Sequence, residues 1–312
     1  MDPVIWFFLL GVLAGLMRSD LRMPKAVYEL LSMVLLLTIG LKGGVELAQQ
    51  PVGGLVVQVL AVASIGLVIP LAVFSAIRAL SSAPRADAAS LAAHYGSVSV
   101  ATYAVGVSFL ATRNVPVDAQ LPLFLVVLEV PAIMVGIVLA KGAAARSNWG
   151  GVMHEVFLGK SIVLLIGGLL IGWLSGPEGI APLEPLFFDL FKGVLALFLL
   201  EMGLIAANQA SGLKRRATLV ILTAILTPVP AAMLGIGVGH VIGLNVGGMT
   251  LLGVLAGSAS YIAAPAAMRI AVPDANPSLS LSASLGITFP FNIFIGVPLY
   301  YGAAQWLAGA GA

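Results

Sequence analysis

Long apolar stretches alternate with short breaks marked by charge, proline or polar clusters. The breaks divide the chain into about ten stretches, near residues 3–17, 26–48, 52–80, 88–112, 119–143, 158–175, 182–208, 217–242, 247–271 and 278–308. Stretches of this length predict helices that cross a hydrocarbon layer. Runs such as Leu55 to Ile69 and Leu219 to Ile225 are continuous, without the in/out alternation of a membrane barrel, so the predicted class is an all-α integral membrane protein. The first run, Val4 to Met17, follows Asp2 with no basic segment and meets Arg18 with no small-x-small cleavage pattern. It reads as a short first span rather than a signal peptide.

Composition sharpens this picture. Of 312 residues, 60% are apolar and 9% charged, against roughly 25% charged in soluble domains. The expectation is a multi-pass protein of the inner (plasma) membrane, surrounded by lipid, with no room for a soluble catalytic domain. The absence of cysteine excludes thiolate metal sites and disulfides, and a net charge of +2 gives no reason to expect nucleic acid. His154 and His240 do not form a spacing-defined metal site. Gly159-Lys160-Ser161 resembles the end of a P-loop, but His154 stands where its first glycine belongs. Neither a cofactor, a metal other than Na⁺ nor ATP is expected.

Alternating sides along ten crossings puts Arg18, Arg22, Lys25, Arg78, Arg85, Lys141, Arg146, Lys160, Lys214, Arg215, Arg216 and Arg269 on one face, leaving Lys42, Arg113 and Lys192 on the other. The positive-inside rule makes the rich face cytoplasmic, with both termini outside.

The halves also repeat each other. Thr38-Ile39-Gly40-Leu41 answers Glu201-Met202-Gly203-Leu204, Gly96-Ser97-Val98-Ser99 answers Gly257-Ser258-Ala259-Ser260, Val115-Pro116 answers Val272-Pro273, and Pro131 answers Pro290. The offset stays near 160 residues. A repeat of five spans crosses an odd number of times, so its second copy enters inverted. The expected organisation is residues 1–143 as one five-helix repeat, 144–157 as a cytoplasmic connector and 158–312 as the inverted second repeat.

Candidate chemistry lies in the fourth and ninth spans. Their mid-span words, His94 to Thr102 and Gly257 to Pro265, are rich in Gly and Ser, which predicts discontinuous helices whose freed N–H and C=O groups serve as ligands. A half-helix N-terminus suits an anion. Close helix packing is the competing explanation for these small residues, as for Gly11-xxx-Gly15, Gly40-xxx-Gly44, Gly168-xxx-Gly172, Gly235-xxx-Gly239 and Gly253-xxx-Gly257. Glu129 sits mid-span, where an ionised carboxylate needs a cation or proton. Its repeat counterparts Thr288 and Asn292 are neutral oxygen ligands suited to Na⁺. Glu201 reads equally as a ligand or as part of a packing face, and His94 as a proton carrier or a satisfied polar group.

The words Leu37-Thr38-Ile39-Gly40-Leu41-Lys42-Gly43-Gly44, Glu129-Val130-Pro131-Ala132 and Val272-Pro273-Asp274-Ala275-Asn276-Pro277-Ser278 resemble the SbtA-type sodium-dependent bicarbonate transporters, in order and over nearly the whole chain. The resemblance implies ten helices divided into a core (helices 3–5 and 8–10) and a gate (1, 2, 6 and 7), commonly a homotrimer, importing bicarbonate with Na⁺ under a cytoplasmic PII-like regulator. The family's S-G-S-T break corresponds to Ser99-Val100-Ala101-Thr102, and its S-S-S-D break to Ser258-Ala259-Ser260-Tyr261. Ala101 and Ala259 thus replace hydroxyls, Tyr261 replaces an acid, and the aspartate before the family's I-P-A appears as Glu129. The segment from Lys141 to Lys160 is short beside the long hydrophilic insert of cyanobacterial members.

The resulting expectation is not an enzyme but a secondary transporter coupling Na⁺ to bicarbonate or a similar small anion. Gly96, Ser97, Ser99, Thr102, Gly257, Ser258, Ser260 and Tyr261 form its substrate site, and Glu129, Thr288 and Asn292 its sodium site. Its competitors are a Na⁺-independent anion channel, disfavoured by the scarcity of mid-span Arg and Lys, a transporter of another small organic anion, and an intramembrane enzyme, for which nucleophile and base do not converge.

Overall fold

Leucine-rich runs with few helix breakers form helices here, and glycine, proline and capping residues set their ends. A computed structural model describes residues 3–49, 54–141, 149–211 and 217–309, and its regular structure is helical throughout. The helices are α1 (Pro3–Leu16), α2 (Lys25–Ala48), α3 (Leu55–Leu80), α4 (Arg85–Gly96), α5 (Val100–Ala111), α6 (Leu121–Lys141), α7 (Trp149–Phe157), α8 (Lys160–Ile180), α9 (Phe191–Ser211), α10 (Ala217–Leu226), α11 (Pro228–Val241), α12 (Val246–Ala256), α13 (Ala263–Ala271) and α14 (Pro277–Leu307). Among the described residues seven helical segments are long and apolar enough to span a membrane: α2, α3, α6, α8, α9, the α10–α11 pair and α14. The protein is therefore an integral membrane protein. Its apolar surface fits a lipid surround, with Val56, Leu60, Leu174 and Trp306 each more than 60% exposed.

Of the expected connector, 144–148 lie outside the described residues and 149–157 form α7. Arg146, Lys214, Arg215 and Arg216 also lie outside them. Within α8 the regular run ends at Ser175, as expected: Gly176 is non-helical, with φ 62°, and a short helical turn resumes at Pro177 and reaches Ile180. One boundary differs from the sequence expectation. Residues 181–189 form short 3-10 and π turns, so α9 starts at Phe191 rather than near 182. Pro182 and Pro185 occupy first-turn positions, where a missing N–H costs little.

The most extensive contacts are α2 with α8 and α1 with α9. Glycine makes both possible. A β-carbon on Gly40 would lie 2.6 Å from Leu165 O, and one on Gly44 or Gly172 would fall on Leu169 O or Leu41 O. In the other seam, β-carbons on Gly11 and Gly203 would fall on Leu200 O and Phe8 O. In lipid, where no hydrophobic force drives helix association, such backbone-to-backbone contact supplies dispersion energy. Gly40-xxx-Gly44 and Gly168-xxx-Gly172 thus pack against each other, and Gly11-xxx-Gly15 packs against Gly203 and Ala207.

The remaining helices pack as α3 with α4 and α6, α4 with α6, α11 with α12, and α12 with α14. Contacts within the first half have counterparts in the second: α3–α4 answers α11–α12, and α4–α6 answers α12–α14. Two loop ties exchange in the same sense. Asp87, near the start of α4, accepts the Asn276 N–H at 2.8 Å, and Asp118, after α5, accepts the Asn245 N–H at 3.0 Å, where α12 begins.

Candidate functional site

Each break is built from a C-cap and a new N-cap. Helix α4 ends as the Ser97 N–H bonds Ala93 O at 3.1 Å. Two residues on, the Ser99 hydroxyl accepts the Thr102 N–H at 3.1 Å and the Thr102 hydroxyl at 2.8 Å, which starts α5. Helix α12 ends as the Gly257 N–H bonds Gly253 O at 2.8 Å. The Ser260 hydroxyl then accepts the Ala264 N–H at 3.2 Å in the first turn of α13. Pro265 falls inside that turn rather than in the gap.

The two gaps meet. The Ser99 N–H donates to the Ser258 hydroxyl at 2.9 Å, and the Ser260 N–H donates to His94 O at 2.8 Å. Each gap therefore satisfies a backbone group of the other. The Ser258 hydroxyl passes its own hydrogen to Leu255 O at 2.8 Å. Ser97, Ser99, Thr102, Ser258 and Ser260 are all buried.

Some polar atoms at this crossing stay unmatched. The buried Ser97 Oγ has no partner, nor has His94 Nε2. His94 Nδ1 lies 2.7 Å from Ser90 O, which can only accept, so in the neutral ring Nε2 carries the lone pair. The Tyr261 hydroxyl faces Ser99 and the Ala101 amide in the first turn of α5, yet makes no well-aligned hydrogen bond. Its ring meets Phe289 edge-on at 5.8 Å, and Phe289 meets Phe8 of α1 edge-on at 5.5 Å. Gly96 and Gly257 serve packing: β-carbons there would crowd Pro70 and Ala132, or Pro228 O and the Tyr300 hydroxyl.

Glu129 is 2% exposed and its Oε2 lacks a partner. In the contact of α6 with α4, Gly136 opposes Ala93 and Ala132 opposes Gly96. One turn further along α6, Glu129 stands level with the 97–99 gap. Thr288 and Asn292 lie on α14. Thr288 Oγ1 shares a 2.7 Å bond with the Tyr95 hydroxyl and donates to Ala224 O at 3.0 Å. Asn292 donates to Gly257 O at 2.9 Å and accepts the Tyr300 hydroxyl at 2.8 Å. Glu129 thus lies level with one gap and Asn292 binds the other, while Thr288 braces α4 and α10.

Sequence reasoning named Thr288 and Asn292 but missed Ser280 and Ser284, which extend the same row; all four are 1% exposed or less. The four-residue spacing was its signal. A four-residue step overshoots an α turn and falls short of a wider π turn, so the π stretch Ser282–Thr288 inside the row keeps it in line. The Ser90–Ser280 hydroxyl pair, 3.0 Å apart, joins this row to α4.

No curated protein matches the chain. A family model does, that of the Na⁺-dependent bicarbonate transporter superfamily, over residues 3–305. The interrupted helices and their mutual ties lie inside the matched region, which spans nearly the entire sequence, and the chain belongs to the Na⁺-dependent bicarbonate transporter superfamily.

Proposed function

We propose that this protein is a Na⁺-coupled symporter that brings bicarbonate, or a similar small anion, into the cytoplasm by alternating access. The observation that carries this reading is the reciprocal tie between gaps, Ser99 N–H to Ser258 Oγ and Ser260 N–H to His94 O. It ties the start of each half-helix to the end of the opposite helix at a buried crossing, and half-helix N-termini favour an anion. Gly96, Ser97, Ser99, Thr102, Gly257, Ser258, Ser260 and Tyr261 surround that crossing. Glu129, Thr288 and Asn292 supply the oxygen ligands for Na⁺, with Glu129 as the only charge among them.

The architecture belonging to this reading is ten spans in two inverted repeats, 1–143 and 158–312, with α3–α6 and α10–α14 as the core. The α1, α2, α8 and α9 group, held by its glycine seams, is the gate panel. The arginine-rich face lies in the cytoplasm, both termini lie outside the inner membrane, the assembly is a homotrimer, and a PII-like protein regulates it. Symport of one Na⁺ with one monovalent anion is electroneutral, and a second Na⁺ would add about 2.3 kcal/mol per 100 mV.

The test is uptake of labelled bicarbonate into proteoliposomes under an inward Na⁺ gradient, with choline replacing Na⁺ in parallel. Uptake that requires Na⁺ is expected. Equal uptake in choline would overturn the coupling, and absence of uptake by folded protein would overturn the substrate.

A further inference from the structure

A polar cavity lies away from the crossing. Its volume is about 490 Å³, and it opens where α1 ends and the chain turns toward α2 over α9. Arg18, Ser19, Arg22, Glu201 and Asn208 supply its polar lining. No residue of either gap reaches it.

Three features point to a ligand. First, Arg18 closes α1 in the left-handed region, φ 55°, while the Ser19 N–H bonds Ala14 O at 2.9 Å. Glycine usually fills that position, and holding a long side chain there is a local strain that the fold tolerates. Second, neither guanidinium has a carboxylate within ion-pair distance: among the described residues the ion pair present is Lys25–Glu29. Third, the Glu201 carboxyl is held by the Met23 backbone N–H, and its Oε2 is buried without a partner.

Two guanidiniums offer paired N–H donors to a planar or tetrahedral oxyanion. The carboxylate beside them can only accept, so it would repel an anion that lacked a hydrogen to give. We infer that this cavity is a second oxyanion site, taking a small anion that keeps one hydroxyl, of the hydrogencarbonate or hydrogenphosphate class. The anion oxygens face Arg18 and Arg22, and its hydroxyl donates to Glu201. The site does not depend on what the crossing transports.

The experiment is thermal unfolding of the full-length purified protein in an uncharged detergent at pH 8, at constant ionic strength and Na⁺. The titrants are sodium hydrogencarbonate and sodium phosphate, with nitrate and sulfate as oxyanions without a hydroxyl. Titrations are run in the Ser258→Ala background, so that loss of a crossing site is separated from loss of this one. Both hydroxylated anions should raise the melting temperature, and nitrate and sulfate should not. Adding Arg18→Gly with Arg22→Gln should weaken the response at least tenfold in ligand concentration. Glycine suits the left-handed position, so this variant keeps the helix end. Glu201→Gln should narrow the gap between hydroxylated and non-hydroxylated anions. An unchanged titration in the double arginine variant would overturn the site. Equal stabilisation by nitrate would overturn the role of Glu201. In neutral-lipid nanodiscs the response should persist; its loss on adding phosphatidylglycerol, whose phosphodiester has no hydroxyl on phosphorus, would assign the cavity to a lipid headgroup and overturn the proposal.

Discussion

The backbone N–H of Ser99 finds its acceptor in the side chain of Ser258, 159 positions later, at 2.9 Å. That hydroxyl holds the start of α5 in register with the end of α12, and both atoms are buried. Ser258→Ala leaves a buried donor unmatched, a loss of about 1–3 kcal/mol. The expected outcome is a lower melting temperature together with at least a tenfold fall in initial bicarbonate uptake. Unchanged uptake would show that the two gaps position no ligand.

Glu129 gives a sharper test of coupling. Glu129→Gln keeps the shape and removes the charge level with the 97–99 gap. We expect the Na⁺ concentration for half-maximal uptake to rise tenfold or more, and the melting temperature to hold or rise as a buried carboxylate disappears. Flux measured against Na⁺ at fixed bicarbonate distinguishes this from general damage, since an unaltered Na⁺ dependence with normal uptake would remove Glu129 from the sodium site.

The glycine seams predict position-specific tolerance along one helix. In α8, Gly172→Ala drives a methyl onto Leu41 O, whereas Gly167→Ala meets nothing within 4 Å. Gly172→Ala should lower the melting temperature by several degrees, and Gly167→Ala should match or exceed the parent because alanine favours helix. Paired unfolding curves in detergent decide it.

Asp118 links stability to pH. Burial holds its carboxyl above the usual carboxylate range, partly offset by the hydrogen bond from the Asn245 N–H. Ionisation is therefore harder in the folded protein than in the unfolded chain, so the cost is absent at acidic pH and grows as pH rises through the folded value. Asp118→Asn, which keeps an accepting oxygen, should be more stable than the parent near pH 7.5, with the difference vanishing toward pH 4. A constant difference across that range would contradict the assignment.

The lack of cysteine makes cross-linking background-free. Phe8 of α1 and Phe294 of α14 have ring centroids 6.0 Å apart. A Phe8→Cys, Phe294→Cys pair joined by a short bifunctional thiol reagent should stop uptake while leaving bicarbonate-induced thermal stabilisation intact. Continued uptake in the cross-linked protein would rule out relative movement of these helices during transport.

How much of this was legible beforehand depends on the range of the interactions involved. The gaps at 97–99 and 257–262 were readable because Gly and Ser weaken a helix locally, and the family resemblance rested on short contiguous words. Gly176 was readable in the same way, since a glycine before proline signals a helix end, and its φ of 62° interrupts α8 there. The Asp87–Asn276 and Asp118–Asn245 ties were hidden, since a carboxylate seeking a backbone amide leaves no spacing signature when the amide is more than a hundred residues away. Glu201 showed as a mid-helix acid, but its neighbourhood with Arg18 and Arg22 emerges only once the turn after α1 folds over α9. The row from Ser280 to Asn292 could be seen as a spacing, but its alignment required a π stretch that composition does not announce.

In the glycine seams, α2 lies on the carbonyls of α8, and α1 on those of α9, with no intervening side chains to yield. Rolling a helix of either pair about its axis would swing a bulkier residue into the space a glycine leaves, so each pair resists torsion and behaves as one stiff unit. A change in bilayer thickness would then reach each pair as a tilt of both helices together rather than as slippage between them.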